Sequence, residues 1–205
     1  MIVRERPSDG GAEGALVLFH GRGADEHDLF PLLDMLDPER QLHGYSPRGP
    51  LTLPPGGAHW YIVPRVGFPD PATFRKSYRA CVDWLESLPY DRVVLGGFSQ
   101  GCVMSLALGL GAELKRRPVA VFGFSGFIPT VEGWRLDADR PLPPVALGHG
   151  TLDPVIPVEF ARQARDQILA AGGELLYREY PLGHALDPQF VAETRSWLWA
   201  TLGTA

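Results

Sequence analysis

Gly97-Phe98-Ser99-Gln100-Gly101 constrains this chain more than any other stretch. The apolar run Val93-Val94-Leu95 leads into it, and an apolar segment with helical spacing, 102–114, leads out. A strand passing into a helix through Gly-x-Ser-x-Gly has to turn sharply. Small residues two positions either side of the serine let neighbouring backbone approach, while the serine takes up strained backbone geometry. Such a turn lifts the Ser99 hydroxyl above the end of a sheet, beside the first amides of a helix, where negative charge is favoured. That is the setting of a nucleophile. The plainer alternative is a glycine-rich turn in a doubly wound fold. The nucleophile reading requires a base, an orienting acid and a second oxyanion donor elsewhere in the chain.

The rest of the chain alternates strand and helix signals. Ala15-Leu16-Val17-Leu18-Phe19 is apolar throughout, as expected of a strand buried on both faces of a parallel sheet. It runs into His20-Gly21-Arg22-Gly23, and Asp25 is expected to cap a helix over 26–35. Residues 46–71 form a long Pro- and Gly-rich section carrying His59-Trp60-Tyr61 and Phe68. A loop of that length in a compact domain is usually functional, and a flap over Ser99 is the expectation. Asp70-Pro71 reads as the start of a helix, 91–96 as the strand into the serine turn, and 119–124 and 144–148 as further buried strands. A helix over 157–171, a last strand over 174–180 and a helix over 190–202 complete the pattern. These units imply one α/β domain over 1–205, a mostly parallel doubly wound sheet with helices on both faces. Ligand sites in such sheets lie beyond the carboxyl ends of the strands. The His20-Gly21-Arg22 segment, Ser99, Asp153 and His184 each follow a predicted strand, which argues that they share one site.

Their order in the chain is nucleophile, acid, base: Ser99, Asp153, His184. A serine hydroxyl needs an imidazole to take its proton and hand it to the leaving group, and a carboxylate to hold that imidazole. His184 is preferred because it is last and follows a strand. Asp187 competes with Asp153 as acid but reads better as the cap of the last helix, with Pro188 at its first position. The oxyanion donors are expected to be the backbone amides of Gln100, directly after the serine, and Arg22. His20 either orients the Arg22 loop or is a structural histidine. Trp60, Tyr61 and Phe127 either line a substrate pocket or belong to the core; Arg22 either attracts anionic substrates or is a solvated surface charge.

Composition excludes several other classes. A net charge of −5 offers no basic footprint for nucleic acid. No His-x-x-x-His or paired-cysteine pattern suggests a metal, and no dinucleotide fingerprint suggests a cofactor. The two cysteines, Cys81 and Cys102, sit in apolar helical patterns as free thiols, which suits a cytoplasmic location. The first residues lack the apolar run of a signal peptide, and no stretch reaches the length needed to insert in a membrane.

Taken together, residues 18–24, Trp60-Tyr61, 97–101, 124–129, 149–157 and Gly183-His184 resemble the phospholipase/carboxylesterase family of α/β-hydrolases, which includes acyl-protein thioesterases. The resemblance implies an α/β-hydrolase fold without a cap domain. It also implies hydrolysis of small carboxylic esters, with thioesters or lysophospholipids as alternatives. Family members are often dimers, so the resemblance allows a homodimer. Arg22 stands where many members carry an apolar residue, and Ile62 follows Trp60-Tyr61 where the thioesterase branch has Asp. Both differences favour a general serine esterase. Acyl transfer to an alcohol, or a non-catalytic binding protein on the same fold, are the rival readings.

Overall fold

A computed structural model describes residues 1–203. Its strands are β1 (Val3–Arg6), β2 (Ala15–Phe19), β3 (His43–Pro47), β4 (Leu51–Leu53), β5 (Gly57–His59), β6 (Val93–Phe98), β7 (Ala120–Phe124), β8 (Val145–Gly150) and β9 (Leu175–Tyr180). The helices are α1 (Phe30–Leu36), α2 (Pro71–Ser87), α3 (Gln100–Leu110), α4 (Val158–Ala170) and α5 (Pro188–Leu202). Seven strands form one sheet in the order β1-β3-β2-β6-β7-β8-β9. Only β1 runs antiparallel to its neighbour; the other pairings are parallel.

The all-apolar strand β2 shows why a two-faced sheet forms. Ala15, Val17 and Phe19 face one core, with Phe74, Tyr78 and Val103 of α2 and α3. Leu16 and Leu18 face the other, with Leu33 of α1 and Phe190 and Leu198 of α5. Alternate side chains point to opposite faces, so both must be apolar when helices cover both. α3 is buried along its whole length: it lies on β6 and β7 beside α2, and its Cys102, Leu106 and Leu110 share a cluster with Ala161, Ala164 and Ile168 of α4. Cys81 and Cys102 are buried free thiols, and burial pushes both pKa values up.

Asp70 and Asp187 cap α2 and α5 as expected, their carboxylates accepting from Thr73 N at 2.8 Å and Phe190 N at 2.9 Å. Helix α1 differs from the expectation. It starts at Phe30 rather than Glu26, and Asp25 instead closes a local turn by accepting from His27 N. Pro31 has no amide to donate, so it fits only in the first turn of a helix, and that pushes the start forward. The long section 46–71 is also more ordered than a flap. It contains the β4–β5 hairpin, and Trp60 and Tyr61 are fully buried. Among the described residues, no helix is long and apolar enough to cross a membrane.

Candidate active site

The parallel register stacks the strand ends: Phe19 lies beside Gly97, and Phe98 beside Phe124. Ser99 therefore sits at the same edge as the β2 exit and the β8 exit. Its backbone has φ 54° and ψ −118°, in a region that costs a non-glycine residue about 1–3 kcal/mol. Packing enforces that conformation. A Cβ on Gly101 would lie 1.8 Å from the Phe19 carbonyl oxygen, and one on Gly97 would lie 2.4 Å from the Gly101 carbonyl carbon. The two flanking positions can hold only hydrogen, and the Ser99 amide is tied to Phe124 O at 2.9 Å. The hydroxyl is left at the head of α3.

His184 follows β9 and brings Nε2 to 2.9 Å from Ser99 Oγ. Its Nδ1 lies 2.7 Å from Asp153 Oδ2. Asp153 lies three residues beyond β8, its side chain fully buried. Its other oxygen, Oδ1, accepts from Val155 N at 2.8 Å and Ile156 N at 2.9 Å. With one oxygen occupied by the backbone, the other is aimed at the imidazole. Because the carboxylate can only accept, it assigns the proton of neutral His184 to Nδ1 and leaves Nε2 as an acceptor facing the hydroxyl. Three residues scattered over 85 positions thus form a chain able to remove the Ser99 proton.

The two expected oxyanion amides belong to residues that line the same cleft as Ser99. Gln100 opens α3, so its N–H has no intrahelical acceptor. In the loop after β2, Gly23 N donates to Ala58 O and Ala24 N to Gly21 O, and the Arg22 amide stays out of this bonding. The loop is held by His20, which is fully buried. Its Nδ1–H donates to Gly21 O at 2.7 Å and its Nε2 accepts from Gly49 N at 2.9 Å. Burial lowers its pKa, consistent with a neutral ring.

A cleft of about 480 Å³ opens over Ser99 and His184. Tyr61, Phe127 and Arg22 line it, together with Val63, Val66, Phe68 and Ile156. Trp60 does not line it. Its ring stacks edge-on against Phe19 behind the cleft wall, and its indole N–H donates to His20 O at 2.9 Å. The Gln100 side chain has a further part that motif reasoning left unassigned. Its Oε1 accepts from Trp60 N at 3.0 Å and its Nε2 donates to Tyr61 O at 2.8 Å, which ties the serine turn to the cleft wall. The motif treats that position as variable, so only the proximity of two buried loops could have revealed it.

His149 completes the surroundings. It is buried, with Nε2–H donating to Ile156 O at 2.8 Å and standing 3.3 Å from Asp153 Oδ2. Burial lowers its pKa as well. Among the described residues, no group of three or more His, Cys, Asp or Glu is placed to hold a metal ion.

Comparison with known proteins agrees with this architecture. The phospholipase/carboxylesterase family model matches residues 6–202. Similar curated proteins include acyl-protein thioesterase 1 of Yarrowia lipolytica, 28% identical over 75% of this chain and 74% of that protein. Acyl-protein thioesterase 1 of Candida albicans is 29% identical over 78% of this chain and 79% of that protein. Among solved structures, the Bacillus cereus carboxylesterase superposes with a TM-score of 0.84 at 19% identity, covering 97% of this chain and 93% of that one. Zea mays acyl-protein thioesterase 2 superposes at 0.80 and 24% identity, covering 98% and 99%. These likenesses carry the α/β-hydrolase fold, and the family match spans nearly the whole chain: it belongs to the phospholipase/carboxylesterase family.

Proposed function

We infer that this protein is a serine carboxylesterase that works through an acyl-enzyme. The observation that carries the reading is the continuous hydrogen-bond chain Ser99 Oγ–His184–Asp153, at 2.9 and 2.7 Å, opening into a cleft. In this mechanism His184 Nε2 takes the hydroxyl proton as Ser99 Oγ attacks the ester carbonyl carbon. The Arg22 and Gln100 amides receive the oxyanion of the tetrahedral intermediate. His184 then passes its proton to the leaving alkoxide as the ester C–O bond breaks. Water attacks the acyl-Ser99 ester with His184 again as base, releasing the carboxylic acid. Asp153 keeps the imidazole in the required tautomer and offsets its charge when protonated. Tyr61 and Phe127 form the apolar walls for the acyl or alcohol part.

Thioester hydrolysis is the second reading, because the curated relatives are named acyl-protein thioesterases. The chemistry is the same, with a thiolate as leaving group. Arg22 in the cleft lining and Ile62 directly after Trp60-Tyr61 weigh toward the general esterase.

The test is turnover of p-nitrophenyl butyrate and its thioester counterpart by wild type and Ser99→Ala, with fluorophosphonate labelling of both proteins. Ser99→Ala should lose about three or more orders of magnitude in kcat and all labelling. Near wild-type hydrolysis by Ser99→Ala would refute the mechanism. A clear preference for the thioester over the oxygen ester would move the assignment to the second reading.

A further inference from the structure

The cleft over Ser99 carries an imbalance of charge. Arg22 is exposed at its wall, and among the described residues it forms no ion pair. Of the acidic residues close by in sequence, Asp25 and Glu26 are engaged elsewhere, and Asp28 makes no ion pair with Arg22. Arg48 holds Asp25 at 3.2 Å and Glu26 at 2.8 Å. His59, buried beside the same loop, has its pKa lowered first by burial and then by the Arg22 charge, so the guanidinium is close enough to be felt. A second arginine, Arg65, lies on the Phe68 ring with its guanidinium carbon 3.6 Å from the centroid, and Phe68 lines the cleft. Arg65 also lacks an ion-pair partner among the described residues. No Asp or Glu lines the cleft. The protein as a whole is acidic, at −5, so this face opposes the overall charge.

Arg22 is also held in place. The residues after it are bonded to the β4–β5 hairpin on both sides, Gly23 N to Ala58 O at 2.8 Å and Ala58 N to Ala24 O at 2.7 Å. Gly57 presses flat against that loop, where a Cβ would fall 2.0 Å from Gly23 O. An arginine whose main chain is fixed this firmly offers its planar fork from a defined origin. That geometry suits a carboxylate or phosphate better than it suits bulk water. Two uncompensated cations around a partly apolar cleft would also raise the local concentration of anionic ligands.

We propose that the substrate of this esterase carries, besides the ester being cleaved, an anionic oxyacid group that Arg22 binds, with Arg65 reinforcing the field at the rim. This rests on the esterase reading and adds the substrate class to it. The shared chemistry is an oxyanion paired with guanidinium. It is supplied either by a carboxylate on the acyl side, as in a dicarboxylic monoester, or by a phosphate on the alcohol side, as in an acylated glycerol phosphate.

The test compares kcat/KM for matched pairs within each protein. One arm sets p-nitrophenyl hemiglutarate against p-nitrophenyl pentanoate. The other sets 1-butyrylglycerol 3-phosphate against 1-butyrylglycerol. The anionic-to-neutral ratio in at least one arm should fall about tenfold or more in Arg22→Met, recover in part in Arg22→Lys, and shrink in 0.5 M NaCl for wild type. A smaller fall is expected for Arg65→Gln. The arm that responds identifies carboxylate or phosphate, and a response in both shows a general anion site. Binding supplies a readout that does not depend on turnover. Glutarate and glycerol 3-phosphate are titrated into Ser99→Ala protein with Arg22 intact and with Arg22→Met. Weaker binding in the double variant supports the anion site even if no ester is hydrolysed, an outcome that would sink the esterase reading alone. Unchanged ratios in both arms together with equal or absent binding overturn the proposal.

Discussion

Removing the Gln100 side-chain carboxamide should disturb stability and the cleft together. The side chain is almost fully buried and makes two hydrogen bonds, from Trp60 N at 3.0 Å and to Tyr61 O at 2.8 Å. Gln100→Met keeps the approximate length and volume while deleting both partners. A buried N–H and a buried C=O are then left unpaired, at about 1–3 kcal/mol each. The added apolar burial offsets roughly 1 kcal/mol of that. A net loss of about 3 kcal/mol is expected, a large part of a stability that for such domains totals about 5–15 kcal/mol. With a urea m-value of about 2.5 kcal/mol/M, the unfolding midpoint should drop by about 1.2 M. Trp60 and Tyr61 are also the link between the serine turn and the Arg22 loop, through the indole bond to His20 O. KM for aryl esters should therefore rise in the folded variant. Gln100→Glu separates the two bonds. A carboxylate still accepts from Trp60 N–H but faces the Tyr61 carbonyl without a proton to give, so its folded pKa is raised above the ordinary value of about 4.3. A raised carboxyl pKa means the variant comes nearest to wild-type stability at low pH and falls further behind as pH rises through that value. An unfolding midpoint for Gln100→Met within 0.2 M of wild type, with unchanged KM, would refute the role given to this side chain.

Two further outcomes follow from the packing and the charges. Gly101→Ala should abolish soluble folding or lower stability by about 3 kcal/mol or more, because its Cβ meets the Phe19 carbonyl oxygen, whereas Gly56→Ala, with nothing within 4 Å, should leave the melting temperature unchanged; equal melting temperatures for the two would contradict the close approach at the serine turn. Asp137, held by Arg140 and Arg117, has its pKa lowered to about 2, so its contribution to stability is present above the ordinary carboxylate range and is lost as pH falls from about 4 toward 2; melting curves over that window should show a shallower decline for Asp137→Asn, and parallel declines would show that the pair is not felt.

Much of the site was legible because its chemistry is local to short motifs at strand ends. Gly97 and Gly101 announced a close approach, and β2 announced two buried faces by being apolar at every position. Ser99, Asp153 and His184 could be brought together from chain order alone, since a parallel sheet delivers successive strand ends to one edge. What was not legible depends on packing between loops. The β4–β5 hairpin is three residues on each side and interrupted by Pro54-Pro55, too short for an alternation pattern to stand out. The sequence left Trp60 open between pocket wall and core, and the structure places it in the core. Its indole N–H needs a buried acceptor, and the His20 carbonyl supplies one behind the wall. The start of α1 depended on a steric limit at Pro31 that outweighed the capping signal at Asp25.

Three histidines stand at the same edge of the sheet, and their hydrogen bonds decide which can move a proton. His20 has both ring nitrogens committed to backbone, one donating to Gly21 O and one accepting from Gly49 N. A second proton on that ring would break the bond from Gly49 in a fully buried site. His149 gives its Nε2 proton to Ile156 O, its Nδ1 has no partner among the described residues, and burial disfavours the cation. Both are suited to staying neutral while they hold loops, His20 the Arg22 loop and His149 the segment from Asp153 to Ile156. His184 differs in each respect. It is partly exposed, flanked by Phe98, and its Nε2 faces a hydroxyl that can give up a proton. Its Nδ1 lies 2.7 Å from the Asp153 carboxylate. The fold thus separates two duties that one residue type can perform. Buried histidines with backbone partners fix the frame, and of the three only His184 stands between a hydroxyl and a carboxylate, the placement that proton transfer from Ser99 requires.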